Sequence, residues 1–133
     1  MVGIKSREKL NSLTPDLSHL VNISRMINCN GYFVFTFNPD DSDILIHGRM
    51  FAPAIGIPED PVTGNANGPL GAYLVHHRIL ETSNGLVIFN GKQGEAIGRP
   101  GIVTVTVEVK DGEPSKVQVG GYAAVAFKTE INI

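Results

Sequence analysis

Between residues 101 and 110 the chain alternates without a break: Val103, Val105, Val107 and Val109 are separated by Thr104, Thr106, Glu108 and Lys110. That is the period of a strand with one buried face. Asp111-Gly112 then predicts a hairpin turn, with Val117 and Val119 on the returning strand. Gly120-Gly121 predicts a bulge or bend before a further strand over residues 122–129. A helical period appears earlier: Leu17, Leu20, Val21 and Ile27 share one face of a helix running to about Asn28. Thr14-Pro15-Asp16 supplies its start and Asn30-Gly31 its stop. The uninterrupted aromatic and β-branched run at Tyr32–Phe37 predicts a buried strand. Polar residues 38–43 form a turn and residues 44–51 the strand that returns. Residues 52–58 are a Pro/Gly-rich connection. Ala66, Leu70, Tyr73 and Leu74 place a second helix over about residues 65–77, with Pro69 near its start, where a missing N–H costs least. Met1 to Lys5 reads as a brief strand, and everything from Leu86 onward as β. With no repeat and no linker, residues 1–133 form a single α+β domain rich in antiparallel strands, with two helices.

Composition narrows the classes. The 133 residues are 42% hydrophobic and 18% charged, which excludes wholesale disorder. Fifteen glycines and eight prolines require many turns between short elements. Eleven basic against thirteen acidic residues give a net charge of −2, so nucleic acid is not an expected partner. No apolar run approaches the ~20 residues needed to span a bilayer, and MVGIKSREKL has no signal-peptide core, so a cytoplasmic protein without a membrane partner is expected. The single cysteine, Cys29, excludes an intrachain disulfide framework and a Cys-only metal site.

Chemistry concentrates in residues 49–71, RMFAPAIGIPEDPVTGNANGPLG. Adjacent carboxylates, Glu59 and Asp60, lead into a Gly/Asn-rich bend that opens the second helix. Free N–H groups around Gly64, Asn65 and Ala66, at the positive end of a helix dipole, suit a substrate carboxylate. A carboxylate a few residues earlier suits general acid/base work beside that anion. The same residues also serve as ordinary helix caps, through Asp60 or Asn65.

The string FAPAIGIPEDPVTGNANGPLGAYL, with KQGEAIGRPG followed by IVTVTVEV and the closing VQVGGYAAVAF, resembles the PhzF-like family, named for an isomerase of phenazine biosynthesis. The resemblance covers essentially the whole chain. It implies a diaminopimelate-epimerase-like fold of two similar halves, each a curved, mostly antiparallel sheet or barrel wrapped round a central helix. It also implies an active site in the cleft between halves, and proton transfer by acid/base groups with no metal and no organic cofactor. By this resemblance Asp60 is the catalytic acid/base residue, and Thr63, Gly64, Asn65 and Ala66 bind the substrate's polar end. Asn65 stands where the family commonly has serine. The family's N-terminal half, with its glutamate, its C-G-H-A segment and its own R-x-F-x-P motif, has no counterpart here. Arg49-Met50-Phe51-Ala52-Pro53 is a single copy, so the chain resembles the C-terminal half of a two-half isomerase. Its expected partners are a small carboxylate substrate and either a second copy, as a homodimer, or a separate N-terminal half. The alternative is a split or truncated half that folds, and binds small carboxylates or itself, without turnover.

The remaining polar residues have plainer readings. His76, His77 and Arg78 close a helix, where cations are favoured. His19 lies on the polar side of the first helix, and His47 is a packed or surface residue of a strand. Cys29 is a small core residue. Arg99 pairs with a structural carboxylate or binds a substrate acid, and Gln93 and Gly94 line the cleft by family position.

Overall fold

The computed structural model describes residues 1–38 and 42–131. Its elements are β1 (Val2–Gly3), α1 (Arg7–Asn11), α2 (Leu17–Ile27), β2 (Tyr32–Phe37), β3 (Ile46–Ala52), β4 (Ile57–Asp60), α3 (Gly64–His76), β5 (Leu86–Gln93), β6 (Gly101–Lys110) and β7 (Glu113–Gly120). Seven strands form one mixed sheet in the order β1-β2-β3-β5-β6-β7. β4 pairs with the end of β3 that β5 leaves free. The β1–β2 and β3–β5 pairs are parallel and the other ladders antiparallel. The parallel β3–β5 pair requires a crossover, and α3 is that crossover.

The sheet closes on α3 because the helix turns three glycines, Gly64, Gly68 and Gly71, toward β6 and β7. A Cβ on Gly71 would lie 2.6 Å from Val105 Cγ1, and Gly68 and Gly64 face Val117 and Val119 in the same way. β6 and β7 therefore approach the helix backbone closely. The main core lies between them, with Leu70, Leu74, Phe33, Phe89, Ile46, Val105 and Val107 buried. On the other side of β2 and β3, a smaller cluster of Leu10, Val34 and Phe51 is covered by α1 and by Leu20 of α2.

The α+β class, the curved sheet and the central helix are as expected; several details differ. A third helix, α1, is too short to show a period and is set by its Ser6 cap, whose hydroxyl accepts from Lys9 N at 3.2 Å. The cap of α2 is Asp16 rather than Thr14, its carboxylate accepting from His19 N at 2.9 Å. The helix reaches Asn28 as expected, but Asn28 itself takes the left-handed conformation that stops it (φ 52°), in place of Asn30-Gly31. β4 takes in the last two residues of the expected connection, Ile57 and Pro58, together with the two carboxylates that follow. Residues 39–41 of the expected polar turn lie outside the described residues. The strand expected over residues 122–129 does not form: those residues have no ladder partner among the described residues, and Val125 and Phe127 are largely exposed. Alternating apolar residues make a strand only when they pair with another strand, whatever their local preference.

Candidate active site

The two adjacent carboxylates have separate fates, because successive residues of a strand point to opposite faces. Glu59 turns toward Arg49 of β3 and is fully engaged. Arg49 Nε donates to Oε1 at 2.9 Å and Nη2 to Oε2 at 2.8 Å. The same guanidinium donates through Nη1 to the carbonyls of Leu10 (2.9 Å) and Leu13 (2.8 Å), and it lies 4.8 Å from the Phe51 ring centroid. With the Arg49 and Glu59 side chains only 7% and 10% exposed, this is a buried bidentate pair that ties β4 to β3 and to the α1–α2 connection.

Asp60 turns the other way. The Thr63 hydroxyl donates to its Oδ2, and its Oδ1 has no partner among the described residues. Thr63 is the N-cap residue of α3, yet its side chain caps nothing because it is committed to Asp60. Neither Asp60 nor Asn65 caps the helix either. The N–H groups of Gly64 and Asn65 consequently have no acceptor among the described residues, whereas Ala66 N and Asn67 N donate to Thr63 O at 3.2 and 3.1 Å. The first turn of α3 thus presents two open donors at the positive end of the dipole, next to a half-buried carboxyl. Asn65 is exposed at the same end, while the Ala66 side chain faces the core.

One buried side chain holds this bend. Gln93, at the end of β5 and 1% exposed, donates from Nε2 to Asp60 O (2.6 Å) and to Thr63 Oγ1 (3.0 Å). Its Oε1 accepts from Thr63 N (3.3 Å) and from Asn67 Nδ2 (3.0 Å). Asn67, also 1% exposed, donates to Thr63 O as well, at 2.9 Å. Gln93 was expected to line the cleft; it lies beneath the site and orients its backbone. Gly94 (φ 84°) completes the seat, for a Cβ there would lie 2.2 Å from Arg99 O and 2.8 Å from Pro61 O. Sequence reasoning missed Asn67, and its only signal was position: one helical turn inside α3, on the face turned to the sheet.

Beside this site lies a charged cluster. Glu95 accepts from Arg7 Nη2 (2.6 Å) and Lys92 Nζ (3.0 Å), and from His47 Nδ1 at 2.7 Å. Asn38 Nδ2 lies 3.1 Å from His47 Nε2, so both ring nitrogens of His47 have polar partners. Burial works to raise the Glu95 pKa, but the hydrogen bonds from Lys92, Arg7 and His47 outweigh it and hold the carboxyl at about 2. His47, 1% exposed, is the packed residue expected of it. Cys29 is half-buried with its Sγ 3.8 Å from Ser24 Oγ. No group of three or more His, Cys, Asp or Glu that would hold a metal exists among the described residues, and no helix there is long and apolar enough to cross a membrane.

Comparison with known proteins agrees with the fold and the motif. Residues 1–129 match the profile of the family described as phenazine biosynthesis-like protein, PhzC-PhzF. An uncharacterized isomerase of Clostridium acetobutylicum is 60% identical over 131 residues, 98% of this chain and 43% of the relative. A trans-2,3-dihydro-3-hydroxyanthranilate isomerase of Pseudomonas fluorescens is 34% identical over 121 residues, 90% of this chain and 39% of that one. The crystal structure of a phenazine biosynthesis protein of the PhzF family from Bacillus anthracis superposes with a TM-score of 0.65 at 21% identity, covering 89% of this chain and 44% of that one. The chain spans less than half the length of each of these relatives. On the match of its whole sequence and fold, it belongs to the phenazine biosynthesis-like, PhzF family of isomerase-related proteins.

Proposed function

We propose that this chain supplies one half of a cofactor-independent isomerase site, in which the Asp60 carboxyl moves a proton on a small carboxylate-bearing metabolite. One observation carries the reading: the Thr63 hydroxyl that would cap α3 is spent on Asp60 Oδ2, which leaves Oδ1 and the amides of Gly64 and Asn65 open side by side. A substrate carboxylate on those two amides sits at the positive end of α3, which favours its charge. Asp60 Oδ1 then takes a proton from a carbon of the bound metabolite. The electron pair left behind moves into the adjacent π-system, where the helix end stabilises the charge that develops. The proton returns at another carbon or on the other face, so atoms and charge balance without a redox partner. The Asn65 amide orients a substrate oxygen where the family's hydroxyl would. A second acid/base group belongs to the missing half of the cleft, contributed by a second copy of the chain or by a separate N-terminal half.

The test is proton exchange in deuterated water, followed by NMR, with trans-2,3-dihydro-3-hydroxyanthranilate as the first probe because a relative is named for it. Asp60→Asn is expected to abolish exchange while leaving the circular dichroism unchanged. Exchange at the unmutated rate in that variant removes Asp60 from the mechanism. A second reading is a half that binds small carboxylates at the open amides of Gly64 and Asn65 without turnover. It predicts saturable binding of the probe at Gly64 and Asn65 with no exchange even before mutation.

A further inference from the structure

Every hydrogen in the buried network beneath Asp60 has a definite place, because backbone groups fix it at three points. Thr63 O is a carbonyl and only accepts, so the Asn67 atom 2.9 Å from it is the side-chain nitrogen. Thr63 N only donates, so the Gln93 atom 3.3 Å from it is the side-chain oxygen. Asp60 O is again a carbonyl, so the Gln93 atom 2.6 Å away is the nitrogen. The two amides also meet nitrogen to oxygen, with Asn67 Nδ2 3.0 Å from Gln93 Oε1. Turning either amide over would set like groups against each other. The two hydrogens of Gln93 Nε2 are then spent on Asp60 O and, at 3.0 Å, on Thr63 Oγ1. Thr63 Oγ1 therefore accepts from Gln93, and its single hydrogen is left for its other partner, Asp60 Oδ2.

We infer that Thr63 is a positioning residue rather than a substrate-binding one: the Asn67–Gln93 relay commits its hydroxyl proton to Asp60 Oδ2, so that Asp60 offers only Oδ1 for proton transfer. A proton arriving on Oδ2 would meet the hydroxyl head on. The hydroxyl would then accept from both Asp60 and Gln93, and its own hydrogen would have no further acceptor among the described residues. A carboxylate in this geometry takes a proton on Oδ1 and gives it back from the same atom. Gln93 and Asn67 have no hydrogen left for a substrate, since Asn67 Nδ2 spends its pair on Thr63 O and Gln93 Oε1. Both are 1% exposed, so water does not compete for these bonds. Thr63 itself is extended (φ −123°, ψ 98°), and its branched side chain has few rotamers in which to stray. The direction of the hydroxyl proton is independent of the isomerase reading; its consequence for catalysis rests on that reading.

Proton NMR of the full chain tests the direction of the proton without turnover. The Thr63 hydroxyl is expected as a slowly exchanging resonance, with cross-peaks to its own methyl group and to the Gln93 side-chain amide. It should vanish in Thr63→Val and persist in Thr63→Ser. A hydroxyl proton that exchanges with water as fast as that of an exposed threonine overturns the inference. The proton-exchange assay in deuterated water then tests the consequence. Thr63→Val is expected to lower kcat by about ten- to a hundredfold with KM within about twofold of the parent, because the reacting oxygen is misaimed while the substrate keeps its contacts. Thr63→Ser, which keeps the hydroxyl, should restore most of kcat. A rise in KM at unchanged kcat makes Thr63 a binding residue and overturns the inference. A parent chain that shows the slow hydroxyl but no exchange refutes the isomerase reading and leaves the commitment of the hydroxyl to Asp60 standing.

Discussion

Gln93 is the side chain on which the candidate site is built, and Gln93→Leu removes its hydrogen bonds while keeping most of its volume. Two backbone groups lose their side-chain partner: the carbonyl of Asp60, 2.6 Å from Nε2, and the N–H of Thr63, 3.3 Å from Oε1. Asn67 keeps one partner through its bond to Thr63 O. Leaving a buried polar group unpaired costs about 1–3 kcal/mol, so the two together destabilise the fold by about 2–6 kcal/mol. For a domain of this size the urea dependence is about 1–3 kcal/mol per M, and the unfolding midpoint is expected to fall by about 1–3 M with the slope unchanged. Urea titration followed by circular dichroism measures this directly. Gln93→Glu is the sharper companion. It retains an acceptor for Thr63 N and Asn67, but it sets a carboxylate oxygen against the Asp60 carbonyl unless it is protonated, so its defect should shrink as the pH is lowered. A midpoint within about 0.3 M of the parent for Gln93→Leu would be a loss of under ~1 kcal/mol, less than one orphaned group, and would refute the claim that Gln93 holds the bend.

Three further outcomes follow from the geometry. Glu95, held at about 2 by Lys92, Arg7 and His47 against an ordinary value of 4.5, contributes stability that is complete above about pH 4.5 and is lost as the pH falls toward 2. Because Arg7 is half-exposed and Lys92 about a third exposed, the contribution is about 1–2 kcal/mol after screening. Glu95→Gln should therefore flatten the acid limb of a stability–pH profile, and an unchanged limb would contradict the assignment. Glu59→Gln leaves Arg49 charged and buried and is expected to destabilise by about 3–5 kcal/mol in denaturant titration; a loss below about 1 kcal/mol would mean that solvent reaches the guanidinium. Gly71→Ala places a methyl 2.6 Å from Val105 Cγ1 and should lower stability by about 1–3 kcal/mol by overpacking, although alanine is the better helix former; a stabilised variant would mean that β6 has room to retreat.

The strands with a clear period were legible from the sequence. The valine alternation placed β6, Asp111-Gly112 placed its hairpin, and the aromatic run placed β2. The position of Asp60 at a helix entrance was legible as well. What could not be read was the division of labour between Glu59 and Asp60, since it depends on their belonging to a strand. β4 is four residues long, contains Pro58, and exists only because the far end of β3 offers it a partner. The contact between Gln93 and Asn67 was illegible for a related reason: they are far apart in sequence and meet only through the β5–α3 packing. The tail shows the opposite failure. Its residues have every local preference for a strand, yet among the described residues they pair with none.

The helix at the centre of the domain is also its poorest helix former. GNANGPLGAYLVH contains three glycines, two asparagines and an internal proline, residues that disfavour an isolated helix by about 0.5–3 kcal/mol each relative to alanine. The small residues that let β6 and β7 close on α3 are the ones that keep it from forming ahead of them. Folding should accordingly begin in the β5–β6–β7 hairpins, and α3 should become ordered only as the sheet wraps it. The open amides of Gly64 and Asn65 would then be absent from every partly folded form of the chain, which makes competence to bind an anion a late product of folding and a direct reporter of its completion.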